Sequence, residues 1–363
     1  MPTPAAVLCG LGTSLPERAV TNRQLIRENG LDSDERWILE RTGIAARYLA
    51  DARTSTGDLA HAAGRAALES AAELAGGPLP PDIVLLATTT PDHRCPATAP
   101  EVAHRLGLGD TPALDLSAAC AGFLYALTCA RALVTAGLYT RPLVIGAETY
   151  STTLIDPHDR DTAILFGDGA GAVLVRAGAA DEPGALLAQE LGSDGARAEL
   201  IQVPAGGSRL PFAAPRATPE QYYFAMKGRT VYSQAVRRMT ASSLGVLRRS
   251  GWNTEDVDVF ISHQANQRII DAVADRLRIP PARRHGNLRE LGNTAAASIP
   301  LALADTAARR RAAPGARTLI TGFGGGLAWG SHTLLFPEAR PLSHPPYTPG
   351  PCPARADDDK APS

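Results

Sequence analysis

The chain has 363 residues, 44% of them hydrophobic, with 36 basic against 37 acidic side chains and a net charge of −1. This describes a soluble globular protein with ample core, in two domains or one large one, and it excludes the strongly basic surface that a nucleic-acid partner demands. Five cysteines, at 9, 95, 120, 129 and 352, are odd in number and lack C-x-x-C spacing, against both a disulfide framework and a structural zinc. The N-terminus carries no basic segment and no run reaches the ~18 apolar residues of a membrane span, so the chain is expected to be cytoplasmic, with no membrane partner.

Ala6–Gly12 reads as a strand, and Thr21-Asn22 offers an N-cap to a short helix. The run from Ser33 to Gly43 has a capping residue, acids in its first turn and a glycine stop, so it predicts a compact helix with Trp37 and Arg41 one turn apart. Leu59–Ala75 is alanine-rich and helical, and Asp82–Ala87 is a continuous apolar run suited to a parallel strand covered on both faces. A helix near Ala99–Leu106 and a strand at Ala113–Leu116 then lead into small residues around Cys120 and a long apolar helix to about Gly137. Strands at Leu143–Ala147 and Ala170–Val175 complete an α/β alternation. A thiol in the first turn of a buried helix meets unpaired N–H groups and the positive end of the helix dipole, which predicts thiolate and nucleophilic character for Cys120.

The second half repeats the first. Asp82-Ile-Val-Leu matches Asp258-Val-Phe-Ile, and Leu143-Val-Ile-Gly matches Leu319-Ile-Thr-Gly at the same separation along the chain. The junction at Cys120 is matched, at a slightly shorter separation, to Asn293, which precedes another apolar helix. The halves are expected over 1–178 and 179–337, related by a pseudo-twofold axis, with the site where equivalent strand ends meet. At those ends stand Cys120, His263 and Asn293, so a thiol, an imidazole and a carboxamide converge from separate parts of the sequence.

The strings Ala118-Ala-Cys120-Ala-Gly-Phe, His263-Gln-Ala-Asn-Gln-Arg268, Gly292-Asn293-Thr-Ala-Ala-Ala-Ser-Ile-Pro300 and Gly322-Phe323-Gly-Gly-Gly326 resemble β-ketoacyl-acyl-carrier-protein synthase III, of the thiolase superfamily, from about residue 5 to residue 336. The resemblance implies a thiolase-like fold of duplicated α/β halves layered α-β-α-β-α. It implies a decarboxylative condensation in which Cys120 takes an acyl group from acyl-CoA, with its own N–H and that of Gly325 holding the oxyanion. His263 and Asn293 then steady the enolate formed from malonyl-acyl-carrier protein. It further implies that Trp37, Arg41 and Arg160 hold the CoA nucleotide, that Phe323 lines the substrate site, and that Arg268 meets the acidic carrier protein, with Lys227, Arg229, Arg237 and Arg238 nearby. No cofactor and no metal is expected. The family's homodimer would place Cys95 at the floor of the partner's acyl pocket.

The same residues leave the pathway open between fatty-acid and polyketide initiation. An acyltransferase that omits decarboxylation and a catalytically silent carrier-binding paralogue are the other readings. Gly167-Asp-Gly-Ala-Gly171 leads into a strand and is not read as a nucleotide loop. From Pro337 onward the chain is dense in proline and ends in a short acidic run, which predicts a disordered tail over 338–363.

Overall fold

The apolar runs form two sheets around a pair of buried helices in the computed structural model, which describes residues 4–212 and 214–344. In chain order the sheet strands are β1 (Ala5–Ser14), β2 (Ile83–Ala87), β3 (Ala113–Leu116), β4 (Pro142–Glu148), β5 (Gly169–Gly178), β6 (Leu186–Ser193), β7 (Val259–Ser262), β8 (Arg284–His285), β9 (Arg317–Gly324), β10 (Ala328–Leu335) and β11 (Leu342–Ser343). The first sheet has the order β11-β1-β5-β4-β2-β3 and the second β8-β7-β9-β10-β6. The main helices are α1 (Glu35–Thr42), α2 (Thr56–Ala75), α3 (Gly122–Thr135), α4 (Gly228–Arg249), α5 (Gln267–Arg276) and α6 (Ser298–Ala308). α3 and α6 touch both sheets, α2 covers the outer face of the first, and α4 covers that of the second with α5 against it, so the layers run α-β-α-β-α. A helix between two sheets must be apolar all round, and Ser298–Thr306 of α6 is buried at every position.

Strand direction follows one plan twice. β4, β2 and β3 are mutually parallel, as are β9, β7 and β8, and each parallel core is extended by two antiparallel strands, β5-β1 in one half and β10-β6 in the other. Register repeats as well: Ile83 pairs with Pro142 and Val84 with Leu143, while at the equivalent positions of the second half Val259 pairs with Thr318 and Phe260 with Leu319.

The same spacing corrects the match drawn between Cys120 and Asn293. A 3-10 turn at Ala119–Ala121 precedes α3, and a 3-10 turn at Ala295–Ala297 precedes α6, at the separation that relates the strands. Each begins on a left-handed alanine, Ala119 at φ 46° and Ala295 at φ 45°. Cys120 is therefore equivalent to Ala296, and Asn293 lies ahead of the nucleophile's counterpart. Cys120 also sits on the 3-10 turn and not within the first turn of the long helix, which begins at Gly122.

The expected disorder after Pro337 does not hold for residues 338–344. Ala339 is buried, Arg340 O accepts a bond from Ser70 Oγ, and β11 pairs in parallel with Gly12 and Thr13 at the edge of β1. A sheet edge offers open N–H and C=O groups, and a short proline-flanked segment satisfies them. The rest of that expectation, 345–363, lies outside the described residues.

Candidate active site

Equivalent strand ends of the two halves meet over one cavity of about 950 Å³. Cys120, His263 and Asn293 all line it, together with Trp37, Arg41, Phe323, Gly325 and Arg268. β9 approaches the nucleophile so closely that a Cβ on Gly324 would lie 2.7 Å from Cys120 N, so only glycine fits there. Gly146 does the same for the other half, since a Cβ there would lie 2.4 Å from Ala296 O.

Cys120 is partly exposed into the cavity. Burial of its thiol, reinforced by the neighbouring Glu148 carboxyl, pushes it up to about 12, and the N–H of Cys120 itself offsets only part of this. The expected resting thiolate is thus overturned. An apolar surround disfavours the anion more than one N–H at a short 3-10 turn favours it.

His263 is buried at the end of β7. Ser298 Oγ, at the start of α6, accepts from Gln264 N at 3.2 Å and lies 2.6 Å from His263 Nδ1. Nδ1 is thereby engaged within the protein, and Nε2 is the ring nitrogen left for the cavity that His263 lines. Burial pushes the imidazole down to about 3, so it stays neutral. Asn293 N donates to Leu165 O at 2.8 Å, and Asn293 O accepts from Gly167 N at 3.0 Å. Its side-chain Oδ1 accepts from Ala295 N at 3.0 Å, which leaves the NH₂ end to donate into the cavity. The site therefore holds one thiol, one neutral imidazole and one carboxamide with its NH₂ free.

Behind the thiol lies a polar cluster that sequence reasoning missed. Glu148, fully buried at the end of β4, accepts from Thr88 Oγ1, Thr89 N, Thr89 Oγ1 and Thr90 Oγ1, and Thr89 Oγ1 lies 2.9 Å from Tyr150 OH. Burial pushes its carboxyl up to about 7 against those donors. Tyr150, Phe166 and Phe224 pack ring on ring, with centroids 4.8 to 5.9 Å apart, and form an apolar wall of the cavity. A lone acid closing the apolar run Leu143–Glu148 and a serine inside Ala295–Pro300 are the visible signals for Glu148 and Ser298.

At the mouth, α1 is capped by Asp34, one residue later than the first polar residue of the run, and stopped by Gly43 in the left-handed region. Trp37 is bracketed by two cations, with the Arg41 guanidinium carbon 5.2 Å and that of Arg160 5.0 Å from its ring centroid. Arg268 and Arg229 are exposed at the rim, whereas Arg238 is engaged by Asp194 at 2.8 Å and by the Trp329 ring. Cys95 is exposed and does not line the cavity of its own chain. Asp168 of the Gly167–Gly171 run is buried and accepts from Ala50 N and Ser151 N, a structural post in keeping with the rejected nucleotide loop. No helix is long and apolar enough to cross a membrane among the described residues, nor is there a group of three His, Cys, Asp or Glu side chains able to hold a metal.

Residues 114–195 match the family profile of 3-oxoacyl-[acyl-carrier-protein] synthase III, and 247–336 match the profile of its C-terminal part. The chain is similar to beta-ketoacyl-[acyl-carrier-protein] synthase III 5 of Streptomyces coelicolor, 54% identical over 338 residues, covering 93% of this chain and 99% of that one. Among solved structures it resembles 3-oxoacyl-(acyl carrier protein) synthase III from Pseudomonas aeruginosa, with a TM-score of 0.84 and 47% identity over 93% of this chain and 100% of that one. It also resembles the priming beta-ketosynthase of the R1128 polyketide pathway, with a TM-score of 0.83 and 32% identity over 93% and 98% of the two chains.

Proposed function

The chain belongs to the 3-oxoacyl-[acyl-carrier-protein] synthase III family, acyltransferases of thiolase fold that catalyse the condensation initiating fatty-acid or polyketide synthesis, and we propose that Cys120, His263 and Asn293 divide that reaction between them. Cys120 Sγ attacks the carbonyl carbon of an acyl-CoA. A thiol held near 12 attacks as its proton leaves, the proton ends on the departing CoA sulfur, and the N–H groups of Cys120 and Gly325 hold the oxyanion. Malonyl-acyl-carrier protein then loses CO₂, and the electron pair of the broken C–C bond moves into an enolate. His263 Nε2–H and the Asn293 NH₂ donate to the enolate oxygen, each contributing about 3 kcal/mol. The enolate carbon attacks the acyl-cysteine, and the expelled thiolate takes a proton from solvent. The observation that supports this division is a neutral His263 whose Nδ1 lies 2.6 Å from Ser298 Oγ, so that Nε2 is free for the cavity, beside an Asn293 whose Oδ1 is taken by Ala295 N.

Trp37 with Arg41 and Arg160 is the CoA entrance. A nucleobase enters between Trp37 and Arg160 only as the guanidinium withdraws, since the two are already stacked. Arg268 and Arg229 at the rim suit an acidic carrier protein. The homodimer forms along β3, an edge strand with Leu114 42% exposed. Cys95, exposed and outside the lining of its own cavity, then supplies the floor of the partner's. The halves 1–178 and 179–337 act as one unit, because Cys120 comes from the first and both donors come from the second. The reaction needs only the two substrates and a soluble, cytoplasmic chain.

Intact mass spectrometry of the protein mixed with a panel of acyl-CoAs tests the reading. One acyl group should add to the wild type and none to Cys120→Ala, and the adduct mass names the starter. A thioester adduct on Cys120→Ala would sink it.

A further inference from the structure

Arg47 lies on the short strand Ala46–Leu49 and is fully buried, one of the largest side chains in the protein with no exposed surface. Its guanidinium faces no carboxylate among the described residues. Nη1 donates to Asn22 Oδ1 at 2.7 Å, Nη2 donates to Ile164 O at 2.8 Å, and Nε has no partner. Burial pushes it down to about 10, so it remains a cation at neutral pH. A buried cation without a counter-ion is costly and offers the core nothing that a leucine would not.

Its surroundings point to what it holds. Asn22 is itself fixed, its Nδ2 donating to Ile44 O at 2.8 Å, so its oxygen is presented to Arg47. Ile164 caps the one-turn helix Arg160–Ala163, and the residues after it form an isolated bridge between Phe166 and Asn293. Both main-chain groups of Asn293 are used in that bridge, its N–H on Leu165 O and its carbonyl under Gly167 N. The stem of Arg47 is wedged behind the bridge. A Cβ on Gly167 would lie 3.1 Å from the Arg47 Cβ, and one on Gly292 would lie 3.3 Å from it, so two glycines admit the arginine on either side of Asn293.

We propose that Arg47 is a positioning residue for the condensation step: by tying Ile164 O to Asn22 and packing against Gly167 and Gly292, it sets where the Asn293 carboxamide stands in the cavity. The inference rests on the donor role given to Asn293 above. Arg47 hydrogen-bonds to Asn22 and Ile164 and does not line the cavity, so acylation at Cys120 is expected to survive its loss.

The test separates the half-reactions in the full-length chain, per active site. Sites are counted by the stoichiometry of the acyl adduct, so that loss of folded protein does not enter the rates. Arg47→Met keeps the stem and removes both bonds. Acylation per site should stay within about two-fold of wild type, while condensation of the preloaded acyl-enzyme with malonyl-acyl-carrier protein should fall about ten-fold or more, the scale of a small misplacement. Arg47→Lys reaches one acceptor at most and should fall between the two, and it serves also if the Met variant does not fold. In an Asn293→Ala background Arg47→Met should cause no further loss, because the group it places is gone. Equal losses in both half-reactions, or full additivity with Asn293→Ala, would make Arg47 structural only. If Asn293→Ala alone left condensation intact, the donor reading itself would fail, whatever Arg47 did.

Discussion

Cys120, the proposed nucleophile, is kept as a thiol. Its proton stays on to about 12 because burial and Glu148 together outweigh its own N–H. Alkylation by iodoacetamide should therefore rise about tenfold per pH unit from 7 to 10 without a plateau, since only the vanishing thiolate fraction reacts. A plateau below pH 9 would show a thiolate at rest. Glu148 adds a sign to this. Its carboxyl, raised to about 7, gains charge as pH rises through that value, and that charge opposes ionisation of Cys120. Glu148→Gln should then speed alkylation above pH 7 and leave the rate below pH 6 nearly unchanged; equal rates at pH 9 would remove the coupling. His263, pushed down to about 3, is neutral throughout this range and contributes no inflection. His263→Ala and Asn293→Ala should each still acylate but lose condensation by about 10², as expected for a donor to a developing enolate. Quench-flow of the two steps decides it, and equal damage to both steps would mean the roles are divided wrongly.

At the scale of elements, the strands are legible wherever the sequence carries uninterrupted apolar runs, and the repeat between the halves reappears as strand register, pair by pair. The turn before each buried helix is not, because the left-handed alanines Ala119 and Ala295 look like any other alanine in a small-residue stretch. That is why the sequence pairs Cys120 with Asn293, which lines the same cavity, and not with Ala296, its structural counterpart. Antiparallel pairing of β5 is equally hidden, since a strand buried on both faces has the same composition in either direction. Cys120, His263 and Asn293 stand at strand or helix ends and can be picked out. Ser298, Glu148 and Arg47 are polar groups inside apolar segments whose partners are distant in the chain, as Ile164 is from Arg47, and no local pattern marks them. The segment after Pro337 misleads for a related reason: proline content argues against a core, but an edge strand needs only a neighbour with open bonds. Two truncations isolate it. Ending the chain at His344 and at Pro337 should give melting temperatures differing by roughly 3–6 °C, from loss of β11, the Ser70 bond and the buried Ala339. Identical melting curves would mean β11 contributes nothing.

For the whole molecule, the proposed homodimer would make acyl specificity a property of two copies. Tyr150, Phe166 and Phe224 wall the cavity from within the chain, while Cys95 is exposed and not part of its lining. If Cys95 forms the floor of the partner's pocket as proposed, its small side chain leaves depth, so propionyl, branched or longer acyl-CoAs should be accepted at least as well as acetyl-CoA, each methylene adding at most ~0.8 kcal/mol. Cys95→Phe should shift the kcat/KM ratio toward acetyl-CoA by about tenfold, with the dimer intact by light scattering. No shift in a wild type that already prefers acetyl-CoA would free Cys95 of that role. The duplicated sheets carry a last consequence, for chain connectivity. Apart from β11, each sheet takes its strands from one half, and the chain passes from the first half to the second at the exposed turn Ala179–Asp181 and returns to the first sheet only with β11. β11 ends beside Thr13 while β1 begins at Ala5, a separation of about 27 Å along one strand, and the segment from 345 to 363 can reach about 60 Å. A circular permutant opened between Ala180 and Asp181, with Ser363 joined to Met1, should fold to the same two sheets and still take up an acyl group at Cys120. An insoluble or unacylated permutant would show that the order in which the halves leave the ribosome matters, and not only their final arrangement.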